Sequence, residues 1–136
     1  MAPTPSVAAA GLYIGLNALV FVWLSLHAAR TRRRLGISFG DGGHPDLQFA
    51  LRGRSSALES IPIAGLLLYA TAFLGTPAWI IHAYGAVFTV SRLMHGAYFA
   101  RPGLSEWMRD TGAFLTTLII ALSAVSVIAR AVMVLV

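Results

Sequence analysis

Residues 60–91 read SIPIAGLLLYATAFLGTPAWIIHAYGAVFTVS, a stretch with no Asp, Glu, Lys or Arg anywhere in it. Crossing the hydrocarbon core of a bilayer takes about 20 apolar helical residues, so this run is too long for one span. The Gly75, Thr76, Pro77 triplet near its middle is the place to turn. Two membrane helices therefore meet in a short uncharged turn, and each is bounded by charge on its other side. Residues 111–129 form a further uncharged run, and residues 11–29 another. The chain reads as an all-α, four-transmembrane-helix bundle, with helices over about 8–34, 46–74, 77–99 and 105–135, in a single integral-membrane domain spanning 1–136. Pro45, Pro77 and the Pro102 to Ser105 segment suit helix starts, where a missing N–H costs nothing and a hydroxyl can cap.

Composition agrees. Of 136 residues 57% are hydrophobic and only 11% charged, whereas a soluble domain carries about a quarter charged residues. The first apolar run lacks a basic segment ahead of it and has its arginines behind it, the flank pattern of a retained anchor rather than of a cleaved signal. All ten basic residues are arginine against five acids, for a net charge of +5. On so apolar a chain this reflects scarce acids and local arginine clusters, not a nucleic-acid interface. The arginines mark the connections. Arg30, Arg32, Arg33 and Arg34 follow the first helix, Arg101 and Arg109 flank the third connection, and the second connection has none. By the bias of basic residues toward the cytoplasm, both charged loops face that side and both termini the other. Arg130 stands alone at the far end, where it can snorkel to the interface. With no cysteine, disulfides, thiolate metal sites and a cysteine nucleophile are excluded.

Ionisable residues inside a membrane cost about 2.5–3.5 kcal/mol each on insertion scales, so they face a cavity or pair with one another. Arg52, Ser55, Ser56 and Glu59 fall at i, i+3, i+4 and i+7, one stripe about two turns long directed into a bundle or cleft. The stripe is equally readable as an Arg52–Glu59 packing network. Arg54 lies off it, as an interfacial arginine. Arg92, His95 and Tyr98 form a slanted row spanning about 120° near the end of the third helix, within reach of one ligand. Read singly, they are a snorkelling arginine, a backbone-bonded histidine and an interfacial tyrosine. Arg109, in the first turn of the fourth helix, adds a full charge to an end that already favours anions, unless Glu106 or Asp110 takes it. The histidines 27, 44, 82 and 95 are scattered without HxxxH or HExxH spacing, so no metal site is expected; His82 is expected to make a hydrogen-bonded packing contact. The glycine-rich Gly40 to Gly43 segment lacks the spacing and lysine of a phosphate loop and reads as a flexible turn.

The pattern R-x-x-x-S-x-x-E-x-x-P at Arg52, Ser56, Glu59 and Pro62 resembles the second-helix motif R-x-x-x-N-x-x-E-x-x-P of the MAPEG family, the membrane-associated proteins in eicosanoid and glutathione metabolism. The Arg30 cluster with the following Gly-Asp-Gly-Gly, the Arg92-x-x-His95 pair and Arg109-x-x-Gly112 are similar to its other marks, as in bacterial members. The resemblance implies a homotrimer binding glutathione between adjacent subunits near the cytoplasmic side. Arg30, Arg52, Ser56, Glu59, Arg92, His95 and Tyr98 are then candidate glutathione contacts, and Arg109 the residue stabilising its thiolate. Two positions depart from the family. Ser56 replaces the usual asparagine, with a shorter reach, and Tyr98 stands at i+6 from Arg92, where relatives place tyrosine at i+7, here Phe99.

The function implied is a membrane-bound glutathione transferase, with or without glutathione-dependent peroxidase activity, acting on lipophilic small molecules. Glutathione is the co-substrate, no metal is used, and membrane lipids are the surroundings. The alternative is a non-catalytic trimeric membrane protein that binds an anionic amphiphile or a partner helix. A channel or transporter has little support, because no span carries a continuous polar stripe.

Overall fold

The computed structural model describes residues 2–136. It consists of α1 (Pro5–Leu35), α2 (Pro45–Phe73), α3 (Ala78–Ala100) and α4 (Glu106–Leu135), with no strand among the described residues. Local chemistry sets the ends. Thr4 caps α1 by accepting the Val7 N–H on its hydroxyl at 3.3 Å, with Pro5 in the first turn, so the helix begins earlier than the expected 8. Gly36 ends it in the left-handed conformation, φ 65°, its N–H turned back to the last-turn carbonyls. Arg32, Arg33 and Arg34 occupy that last turn, where cations oppose the negative end of the helix dipole. Ser105 stands at the N-cap of α4 but makes no side-chain cap bond, contrary to expectation, and Pro77 lies one residue outside α3 rather than within it.

Helices α2 and α3 each pack against all three others, while α1 and α4 do not touch. The section is a rhombus with α2 and α3 across its short diagonal. Its core is built from small residues: Ala9, Ala10 and Ala72 with Leu68 and Ile81, Ala57 with Val20 and Leu24, and Ala64 with Phe88 and Ile119. The large side chains, among them Leu19, Phe73, Trp79, Phe114 and Ile128, point outward. In lipid, burying leucine against leucine gains little over leaving it in acyl chains. Close approach of small residues and interhelical hydrogen bonds must hold the helices together. Such bonds are present: Asn17 donates to Thr89 Oγ1 at 2.8 Å, and the Tyr84 and Ser126 hydroxyls meet at 3.1 Å.

Helices α1, α2 and α4 are each long and apolar enough to cross a membrane. Helix α3 falls short on composition because it carries His82, Arg92 and His95. Two of these, Arg92 and His95, are buried in the protein, so the bundle interior shelters the polarity that would otherwise meet lipid. His82 is exposed and meets the Tyr13 hydroxyl at its Nδ1, 3.1 Å away.

The α1–α2 connection is ordered by its own side chains. Arg32 donates to the Gly40 carbonyl at 2.6 Å, and the Gly43 N–H donates to the Asp41 carboxylate at 2.9 Å. That bond to the ionised form holds the Asp41 carboxyl below its usual range. A depressed folded-state pKa means that its contribution to loop order is present above the ordinary carboxylate pKa and lost as pH falls through the lowered one. Asp41→Ala is expected to speed limited proteolysis of residues 36–44 at neutral pH. Asp41→Asn, which can still accept the bond, should be intermediate. Equal cleavage rates in wild type and Asp41→Ala would show that the bond orders nothing.

Candidate functional site

The buried polar residues of α3 and α4 face each other one helical turn at a time. On α4, Gly112, Thr116, Ile119 and Ser123 are its buried residues, spaced i, i+4, i+7 and i+11 as a narrow stripe. Ser91 and Thr116 join hydroxyls at 2.9 Å across the crossing. Beside them lies Arg92, only 1% exposed and about 12 Å inside the end of α3.

The Arg92 guanidinium donates to Ser56 Oγ on α2 at 3.3 Å, to Thr116 Oγ1 on α4 at 3.5 Å and to His95 Nδ1 at 3.4 Å. Accepting at Nδ1 places the proton of a neutral imidazole on Nε2. All three bonds exceed the usual 2.9–3.0 Å, and Arg92 Nε has no partner. Among the described residues the ion pairs are Arg34–Asp46 at 3.2 Å and Arg109–Asp110 at 2.8 Å. Arg92 therefore has no carboxylate partner within the protomer. It lines a hollow of about 230 Å³ together with Ser56, Glu59, Ser60, Thr116 and Thr117.

Tyr98, two turns further along α3, lies under Arg109, whose guanidinium carbon is 5.4 Å from the ring centroid, within cation–π range. The Arg109 Nε–H is donated to Asp110. His95, Phe99, Phe49 and Tyr98 meet in series through tilted and edge-on ring contacts, with centroids 4.8–5.2 Å apart.

Ser56, Glu59, Arg92 and His95 are thus gathered at one place and Tyr98 with Arg109 at a neighbouring one. The expectation that the α2 stripe turns inward holds for Ser56, which is half-buried. Arg52, Ser55 and Glu59 are exposed, and no Arg52–Glu59 ion pair forms. Of the stripe, Ser56 hydrogen-bonds to α3 and Glu59 shares the hollow with Arg92. Arg30 is exposed on α1, which has no contact with α4. The α4 residues Thr116 and Thr117 were not expected at the site. Their signal was present as small and hydroxylated residues at helical spacing after Arg109 on an otherwise apolar helix.

The MAPEG family pattern matches residues 10–129. The chain belongs to the MAPEG family. It is also similar to the Inner membrane protein YecN of Escherichia coli strain K12, with 36% identity over 99 residues covering 73% of this chain and 75% of that protein. YecN of E. coli O6:H1 strain CFT073 matches to the same extent. This MAPEG protein is accordingly an integral membrane protein of the family associated with glutathione and eicosanoid metabolism. Chemically, a buried guanidinium without a carboxylate, next to hydroxyl donors and acceptors and a free carboxylate at Glu59, can receive a zwitterionic ligand carrying both anionic and cationic groups. No group of three or more His, Asp or Glu side chains able to hold a metal ion occurs among the described residues.

Proposed function

We propose that the protein is a membrane-bound glutathione transferase, assembled as a homotrimer, that joins the glutathione thiolate to lipophilic electrophiles. The observation that carries this reading is the buried Arg92 with no counter-ion. Such a charge is costly to keep in a membrane protein, and a ligand carboxylate arriving in the adjacent hollow would relieve that cost. Glu59, exposed at the rim of the same hollow, would take the ligand's ammonium, with Ser56, Ser60, Thr116 and Thr117 completing the polar wall and His95 and Arg52 outside its lining. Arg30 is exposed on α1 and does not line this hollow in its own protomer. A contribution from Arg30 would go to the site of an adjacent subunit, consistent with glutathione held between subunits at the cytoplasmic side.

A thiol with pKa near 8.5 is mostly protonated at pH 7, and each unit of lowering requires about 1.4 kcal/mol of preferential stabilisation of the anion. Arg109 at the start of α4, held over Tyr98 with part of its guanidinium free, would supply that stabilisation. The thiol loses its proton to solvent, the thiolate sulfur forms a bond to the electrophilic carbon, and the leaving group departs with the electron pair. The apolar co-substrate reaches the site from the bilayer.

Arg109→Ala is expected to lower kcat by about 10²-fold, the scale of removing one donor to a developing anion, with little change in glutathione binding. Glu59→Gln is expected to weaken binding. Turnover of an aryl halide at saturating glutathione reads the first, and titration calorimetry the second. An unchanged kcat for Arg109→Ala would remove it from the chemistry.

One observation favours a second reading. Arg109 does not line the hollow that contains Arg92, and Asp110 already takes one of its N–H groups. A non-catalytic trimer that binds an anionic amphiphile or a partner helix would fit that arrangement. Thermal stabilisation by glutathione without the ultraviolet absorbance of a bound thiolate would select this reading over the transferase.

A further inference from the structure

A larger hollow lies elsewhere, at the charged end of the bundle, and shares no lining residue with the one beside Arg92. It encloses about 530 Å³ between the end of α1, the start of α2, the end of α3 and the α3–α4 connection. That size falls within the roughly 300–1,000 Å³ of small-molecule sites.

Its walls divide by chemistry. Helix α1 presents His27, Thr31 and Arg34 at i, i+4 and i+7, on one stripe. Phe49, Phe99 and Leu104 supply apolar lining from α2, α3 and the α3–α4 connection. The His27 ring has no hydrogen bond among the described residues. Arg34 gives one N–H to Asp46 at 3.2 Å, which leaves its remaining guanidinium donors free. Asp46 is the one acid of the lining, and Arg30 and Arg33 stand exposed on the same last turns of α1. Within the lining Arg34 and Asp46 balance in charge, and the basic excess comes from Arg30 and Arg33 on the neighbouring turns just outside it; aromatic and aliphatic carbon forms much of the rest.

We propose that this hollow is a second binding site, for a single-chain amphiphile with an anionic phosphate or carboxylate head. The head meets Arg34 and His27, and the chain lies over Phe49, Phe99 and Leu104. The spare guanidinium donors of Arg34 and the two arginines beside it favour an anionic head over a cationic one, and the apolar lining offers a small inorganic anion no further contact. The site stands independently of the glutathione reading. Tyr98 nevertheless belongs to both neighbourhoods, lining this hollow and lying under Arg109.

The test is thermal unfolding of the full chain in neutral-detergent micelles with dodecyl phosphate, inorganic phosphate or dodecanol added below any change in micelle size. Dodecyl phosphate is expected to raise Tm to a saturating value, and neither inorganic phosphate nor dodecanol to reproduce it. Arg34→Gln, at an exposed position, should reduce the shift to less than about half. Leu104→Trp, which fills the hollow from a connecting segment, should abolish it. Glu59→Gln should leave it intact while weakening the response to glutathione, so a failed glutathione site and a failed amphiphile site are told apart. Absence of a shift in the wild type, an undiminished shift in Arg34→Gln, or an equal shift with inorganic phosphate alone overturns the proposal. The last outcome would mean that only a free anion binds.

Discussion

Arg92→Met is expected to leave the ligand-free protein at least as stable as the wild type and to abolish its stabilisation by glutathione. The two halves have one cause. Arg92 is almost fully buried, forms no ion pair among the described residues, makes three long hydrogen bonds and leaves Nε without any. Replacing buried ionic groups by apolar side chains of similar volume is often neutral or stabilising, here by up to about 2 kcal/mol. The unpaired charge makes the gain larger than for a satisfied pair, and the flexible methionine can occupy much of the space left. Losing a buried charged contact to a ligand carboxylate costs about 2 kcal/mol or more, roughly 30-fold in affinity. Unfolding in detergent with and without glutathione measures both. A Tm far below wild type without ligand would instead make Arg92 a strut between α2, α3 and α4, and the case for an awaited anion would fail. Arg92→Lys separates charge from shape, because an ammonium keeps the cost of burial and loses the fork that reaches Ser56 and Thr116 together.

The spans were legible because the constraint behind them is severe. A bilayer tolerates few charges over about 20 residues, so uncharged runs such as 60–91 and 111–129 announce themselves. Helix α3 shows where that signal weakens. Arg92 and His95 lower its apolarity, yet the same two residues told that part of the helix faces protein. Which side of α2 faces α3 was not legible. Periodicity places Arg52, Ser56 and Glu59 on one stripe, but the neighbour it meets depends on how the bundle closes, and of the three only Ser56 is half-buried and hydrogen-bonded to α3. The row at 92, 95 and 98 behaves as its drift requires. The first two residues turn inward, and Tyr98, rotated beyond them, reaches Arg109 through its ring face. The part played by Thr116 was hidden because a hydroxyl on an apolar helix commonly bonds its own i−4 carbonyl, as Thr117 does here.

Gly112→Ala is expected to destabilise the protein by about 1–3 kcal/mol, the scale of overpacking a tight contact, although alanine is favoured over glycine in a helix by about 1 kcal/mol. A Cβ at Gly112 would lie 2.7 Å from the Ser91 carbonyl oxygen and 2.9 Å from the His95 backbone nitrogen. These are main-chain atoms of α3 and cannot rotate aside, so α3 and α4 must move apart. Thr116, one turn along, would then withdraw from the Ser91 hydroxyl and from Arg92, so the loss of stability should come with weaker glutathione binding. Gly65→Ala is the matched control. Its nearest neighbour would be Ile14 Cγ1 at 3.4 Å, an ordinary contact, and the helix preference for alanine should make that variant neutral or slightly more stable. Thermal unfolding of both variants in one detergent, each with and without glutathione, reads the difference. Equal effects at the two positions would show that the close crossing of α3 and α4 does not hold the candidate site together.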